Sequence, residues 1–317
     1  MTAAELNACL DSYLAIRSAL GFRLQAEGTL LRSFIEFLDS RGELHPIRAQ
    51  IALEWAYSSS ATRGGSGQAT RLSMARKFLL HLRATVPETE IPDRGLITYA
   101  RRPTPYIFSE EEIERLIESA LTCGPADSLR PYTLATVIGV LAATGLRVGE
   151  AIRLKDDDVK LHELPSRLVI RETKFHKSRI VPLHATVAER LRRYSDERRR
   201  LQYHALSDTF FVSEKGAHLN HNTLWRWFTR LTKKLGMWPS SGRRPCLHSM
   251  RHSFAVRRML AWYSEGADVQ AILPILSVYL GHVRPQESYW YLTATPELLG
   301  AAAERFRVYA ASSGGER

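Results

Sequence analysis

Between Thr133 and Leu146 the chain reads TLATVIGVLAATGL, its longest apolar run. The run falls short of the roughly 20 residues that a membrane span requires, yet it is too apolar to leave a wide face in water. It predicts a helix buried on all sides, at the centre of a core. The 317 residues, 44% of them hydrophobic, can fill two such cores, since soluble domains usually run to roughly 100–200 residues.

The sequence also marks where the two cores divide. Through the first hundred residues apolar side chains recur at helical spacing, as at Leu30, Leu31, Phe34, Ile35 and Leu38. This predicts helices near 3–20, 27–41, 47–58 and 67–84, interrupted at Gly21, Gly42 and the RGGSG stretch at 63–67. From Pro87 to Pro105 the period is lost and prolines gather, each removing an amide donor and disfavouring helix at the residue before it. The expected organisation is a helical domain at 1–86, a linker at 87–106 and a second domain at 107–317. Ser109 opens that domain with a capping box, Glu112 standing three residues on. After the apolar helix and a turn at Gly145, a further helix runs through GEAIRL. The period then changes: RLVIRET at 167–173 and RIVPLH at 179–184 alternate and are β-branched, and KFHKS between them predicts a hairpin. Most of the remaining chain has helical spacing. The fold class expected is mainly α with a small antiparallel β-sheet.

A net charge of +11 points to a polyanionic partner, because neutralising phosphates releases their condensed counterions. Arg71, Arg76 and Lys77 on the fourth helix can line a phosphate backbone, although a solvated basic face would read the same way. HNTLWRWFTRLTKK at 221–234 is the candidate for a major-groove helix, with Asn222, Arg226 and Arg230 on or near one face. Cys9, Cys123 and Cys246 are too scattered for a disulfide framework or a zinc cluster. The N-terminus has acidic and polar residues where a secretory signal would be basic and then apolar, so a cytoplasmic location is expected, with no membrane partner.

Four separated segments carry residues suited to phosphoryl transfer at a DNA backbone. In ATGLRVGEAIRL, Arg147 can offer a planar fork of donors to two phosphate oxygens, with Glu150 holding the guanidinium or only favouring the helix start. In RETKFHKSRIVPLH, Lys174 and Lys177 stand at or near the turn, where a lysine can protonate a departing 5′-oxygen or simply be solvated. In LHSMRHSFA, His248 and Arg251 lie three apart on one helix face. In LGHVRPQESYWYLTATPELL, His282 follows a glycine at a helix boundary and Tyr291 stands nine residues beyond. A phenolic nucleophile would store the energy of the broken DNA bond as a phosphotyrosine; core packing is the simpler role for that side chain.

In this order Arg147, Lys174, His248, Arg251, His282 and Tyr291 resemble the tyrosine recombinase, or phage integrase, family. TGLRVGE resembles its first arginine box, TKFHKSRIVPL its lysine hairpin, HSMRHSFA its H-x-x-R box, and LGH with a tyrosine nine residues on its terminal box. The resemblance favours Tyr291 over Tyr289 and takes in Ser288, a small hydroxyl residue three positions before the tyrosine. YWYLTA departs from the usual tyrosine, polar residue, histidine continuation. What the resemblance implies is a SAM-like core-binding domain and an α+β catalytic domain forming a C-shaped clamp on a duplex recombination site. Arg147 and Arg251 would stabilise the transition state, His248 and His282 would assist, and Lys174 would protonate the leaving group, Lys177 contacting the backbone. It implies neither metal nor nucleotide cofactor, and a homotetramer on synapsed DNA, with companion recombinases an open possibility. A core-site recombinase without an arm-binding domain, of prokaryotic type, nucleoid-associated and carried by a mobile element, is the narrower expectation. Two other readings stand beside it: relaxation of DNA in the manner of a type IB topoisomerase, and a DNA-binding accessory protein without chemistry.

Overall fold

Thr2 and Ser109 start their helices in the same way. Each side chain accepts a hydrogen bond from the amide three residues on, and the glutamate there, Glu5 or Glu112, accepts one from the amide of Thr2 or Ser109. The computed structural model describes residues 1–22, 24–58, 65–99, 104–125, 127–171, 178–201, 206–240, 242–282, 288–289, 291 and 296–313. They fall into two units, Met1–Arg102 and Pro103–Arg317.

The first unit contains α1 (Ala3–Ala19), α2 (Gln25–Ser40), α3 (Ala49–Ser58) and α4 (Gly65–Leu82). Its core joins Leu6, Leu10, Phe34, Leu38, Trp55 and Phe78, the residues whose helical spacing predicts these helices. α4 begins inside RGGSG, so its last three residues are helical and not an interruption. The segment from Pro87 to Tyr99, expected to be linker, is packed instead. Glu90 N donates to the Ile47 carbonyl at 2.9 Å, Arg76 Nε to the Pro92 carbonyl at 2.9 Å, and Ile97 is buried. Lost helical period and gathered prolines were the signals for a linker there; both argue against helix but not against packing, and an aperiodic segment can still bury an isoleucine.

The second unit is built round α6 (Arg130–Thr144), which packs against α5 (Glu110–Leu121), α8 (Ala185–Arg200), α9 (His221–Lys234) and α10 (Leu247–Ser264). Leu134, Val137, Ile138, Val140 and Leu141 are fully buried, each contributing about 1.5–3 kcal/mol relative to exposure. The burial that the apolar run predicts extends over most of α6, with Ala143 exposed and Tyr132 and Gly139 half-buried. Gly145 ends α6 at φ 62°, where a Cβ would stand 2.5 Å from the Phe254 ring. α7 (Val148–Ala151) follows directly, capped by Arg147.

Beside this core lies a three-stranded antiparallel sheet in the order β1 (Val159–Lys160), β2 (Arg167–Ile170), β3 (Arg179–Pro182). The register sets Ile170 opposite Arg179 and Leu168 opposite Val181, and Leu168, Ile170 and Val181 are buried. The β2–β3 pair is the expected hairpin; Lys174 and Lys177 lie outside the described residues. β1, of two residues, is too short to show an alternation. α11 (Val269–Leu280) and α12 (Pro296–Ser313) complete the unit. Among the described residues no helix is long and apolar enough to cross a membrane.

Candidate active site

A helix leaves its last carbonyls without intrahelical partners, and at the end of α11 those partners are arginines. Gly281 takes the left-handed conformation at φ 68°. Its amide donates to the Val278 carbonyl and that of His282 to the Ser277 carbonyl, both at 2.9 Å, in the Schellman pattern. The next three carbonyls accept guanidinium hydrogen bonds: Tyr279 from Arg179 Nε at 2.8 Å, Leu280 from Arg251 Nη2 at 2.7 Å, and Gly281 from Arg147 Nη2 at 3.0 Å. The negative end of the helix macrodipole thus gathers three cations from β3, α10 and the start of α7. Glycine suits this position because φ 68° is a conformation that L side chains rarely adopt, and a Cβ would also lie 2.6 Å from Arg179 Nη1.

Glu150 joins two of these cations. Its carboxylate accepts from Arg147 Nη1 at 3.0 Å and from Arg179 Nη2 at 2.8 Å, and also from the Arg147 amide at 3.0 Å. Burial alone would push this carboxyl up, but the hydrogen bonds and charges of Arg179 and Arg147 outweigh it and hold the group below its ordinary range. Arg251 is 1% exposed and donates its second nitrogen to the Gly145 carbonyl at 2.7 Å. Burial, reinforced by Arg147, pushes it down to about 10, so it stays charged at neutral pH. Three guanidinium groups against one carboxylate leave a net excess of two positive charges in a sheltered place, an arrangement suited to a phosphodiester.

The ring residues stand beside this cluster. His282, the second residue past α11, places Nδ1 2.7 Å from the Ser288 hydroxyl oxygen. Tyr291 is buried in the same hydrophobic cluster as Val256, Met259, Leu273 and Leu276. Its ring lies nearly parallel to that of His282 at 6.1 Å between centroids, and 5.6 Å from His252. Tyr291 is close enough that its ionised form would hold the Arg251 proton more tightly. Tyr289 is half exposed. His248 is exposed on the first turn of α10, its ring edge-on to His252 at 4.6 Å.

The structure therefore brings together Arg147, Glu150, Arg251, His282 and Tyr291, with His248 joined to them through His252. Sequence reasoning missed Arg179 and His252. Both left a signal: Arg179 is in register with buried Val181 on β3, and His252 lies four residues after His248 on one helix face. Arg71 needs correction as a DNA-contacting residue. It is buried, its guanidinium 3.9 Å from the centre of the Trp55 ring and donating to the Trp55 carbonyl at 2.7 Å. Burial pushes its pKa down. Arg76 is half-buried and held by Pro92, whereas Lys77 is exposed. On α9 Asn222, Arg226 and Arg230 lie on the side away from buried Leu224, Phe228 and Leu231.

The description of the phage integrase family matches residues 107–297. A protein of Sinorhizobium fredii named as a putative integrase/recombinase, y4rB, is 38% identical over 302 residues, covering 93% of this chain and 95% of that one. The tyrosine recombinase XerD of Rhizobium meliloti is 29% identical, with 87% of each chain covered. Among solved structures, the Tn1549 transposon integrase in complex with transposon right end DNA superposes with a TM-score of 0.66 at 17% identity, covering 96% of this chain and 99% of that one. The XerH site-specific recombinase bound to palindromic difH substrate, in a post-cleavage complex, gives 0.63 at 20% identity, with 88% of this chain and 80% of that one covered. The chain belongs to the phage integrase family, the tyrosine-type site-specific recombinases that break and rejoin DNA.

Proposed function

We propose that Tyr291 is the nucleophile of this recombinase and that the arginines gathered at the end of α11 receive the scissile phosphate. The observation that carries this reading is the convergence of Arg147, Arg251, His282 and Tyr291, from three separated segments, around three consecutive carbonyls. The phenolic oxygen attacks phosphorus, the bond to the 5′-oxygen breaks, and the DNA is left joined to the enzyme as a 3′-phosphotyrosine. Arg147 and Arg251 neutralise the non-bridging oxygens, His282 donates to one of them, and His248 receives the phenolic proton. Lys174 protonates the departing 5′-oxygen, with Lys177 on the backbone nearby. Attack by a partner strand's 5′-hydroxyl then displaces Tyr291 and restores a phosphodiester. One ester replaces another of similar energy, so the exchange requires no nucleotide cofactor.

The outer face of α9 with Asn222, Arg226 and Arg230 is the proposed reader of the duplex, and Lys77 a backbone contact of the first unit. The 1–86 and 107–317 regions would close on the site as a clamp, with four copies assembled on two synapsed sites, working where the cell's DNA lies. The likeness to y4rB and to a transposon integrase favours the movement of a mobile element as the purpose.

The test is a supercoiled plasmid carrying two copies of the DNA end that flanks the gene. Recombinant circles are expected. Relaxed circles without recombinants would give the chain to the topoisomerase reading, and retention on DNA with neither product would give it to the accessory reading.

A further inference from the structure

A neutral imidazole carries its proton on only one ring nitrogen, and which one decides whether the other side of the ring donates or accepts. His282 Nδ1 lies 2.7 Å from Ser288 Oγ, which lies 2.6 Å from Ser277 Oγ. Ser277 Oγ is also 3.1 Å from the Leu273 carbonyl oxygen, one turn back in α11. Both serines are buried, Ser288 at 0% and Ser277 at 4% exposure, so water does not compete for their protons.

Each hydroxyl has one proton, and two arrangements satisfy this chain of groups. In the first, Ser277 donates to Ser288, Ser288 donates to Nδ1, and the ring proton sits on Nε2. In the second, Ser277 donates to Leu273, Ser288 donates to Ser277, Nδ1–H donates to Ser288, and Nε2 is a bare acceptor. The geometry favours the first: Ser277 is the donor in the 2.6 Å contact with Ser288, its one proton goes there in preference to the Leu273 carbonyl at 3.1 Å, and the Ser288 proton is left for Nδ1.

We propose that Ser288, braced by Ser277, is a positioning residue that fixes His282 as the Nε2–H tautomer, so that the ring offers the phosphate a donor and not a base. The proposal rests on the reading of the site given above and names how one of its groups is set. Burial, and the charges of Arg251, Arg147 and Arg179, push His282 down to about 3, so the ring is neutral near pH 7 and its tautomer alone decides its role. The exposed His248 is then the ring left to receive the phenolic proton.

The tautomer is read directly from the ring nitrogen resonances of full-length protein labelled with ¹⁵N-histidine, assigned with a His282→Asn variant. The wild type is expected to show Nδ1 unprotonated and Nε2 protonated. Ser288→Ala is expected to shift the ring to a mixture or to the Nδ1–H form and to slow DNA cleavage about 10-fold or more, the size of effect seen when a partner that orients a functional histidine is removed, with DNA affinity unchanged. A wild-type ring protonated at Nδ1 would overturn the assignment, as would an unchanged tautomer in Ser288→Ala. The wild-type spectrum decides alone if the variant does not fold. Because it is recorded without DNA, a failure of the wild type to cleave counts against the functional reading and leaves the tautomer assignment standing.

Discussion

His282 lies among three arginines and is partly buried, and both facts give it a measurable effect on stability. Burial first, then Arg251, Arg147 and Arg179, lower it from an ordinary value of 6.5 to about 3. Between these values the unfolded chain binds the extra proton and the folded chain does not, so stability rises with pH there and is lost as pH falls from 6.5 toward 3. His282→Asn removes this contribution. The wild type should therefore lose more stability than the variant between about pH 7 and about pH 4, measured as the shift of the urea midpoint, and equal losses would contradict the placement of His282. At this scale Arg147, Arg251, His282 and Tyr291 were legible because motif and chain order name them. Arg179 was missed because an arginine next to a turn reads as solvated, although its place two residues before Val181 on the strand was the signal that it turns inward. Arg71 misled because only its charge was weighed. It shares a helical stripe with Ala75, Phe78 and Leu82, all buried, and that period already set it against the core.

The C-terminus of α11 organises the site, and Gly281 is where that organisation can be tested. Gly281→Ala would place a Cβ 2.6 Å from Arg179 Nη1 at a positive φ, costing about 1 kcal/mol in backbone strain and pushing Arg179 off the Tyr279 carbonyl and Glu150, and with it the carboxylate that holds Arg147. Cleavage should fall about 100-fold, the order expected for a misplacement of about 1 Å. Gly236 has a similar φ of 67° but nothing within 4 Å of its Cβ position, so Gly236→Ala should carry the strain cost and keep cleavage. Single-turnover rates and thermal unfolding of the two variants check this, and an equal loss of cleavage in both would refute it. The helix itself was hard to read: Pro274 interrupts VQAILPILSVYL, yet it sits on the exposed side, where α11 continues through it. The buried α6 was legible because the run from Thr133 to Leu146 leaves no polar face.

Over the whole molecule the charge of +11 is divided between arginines that hold the fold and cations left for a ligand. Composition cannot make that division, because burial is a property of packing. Arg71→Ala should destabilise the first unit by about 1–2 kcal/mol, the loss of a cation–π contact and a buried hydrogen bond, without changing the DNA affinity of folded protein. Replacing both Arg226 and Arg230 by alanine should weaken DNA binding and, if both meet phosphates, lower the salt dependence by about two ion equivalents. An unchanged affinity would remove α9 from the interface. The two-unit organisation was legible from the proline-rich break, but its edge was not, since Ile97 packs where the sequence has no period. The central claim, that Tyr291 becomes covalently joined to DNA, is tested most directly with flanking DNA nicked beside the scissile phosphate, so that cleavage is trapped, followed by a denaturing gel. The account predicts a protein–DNA adduct in the wild type and in Tyr289→Phe that is absent in Tyr291→Phe; an adduct that survives in Tyr291→Phe and disappears in Tyr289→Phe would contradict it.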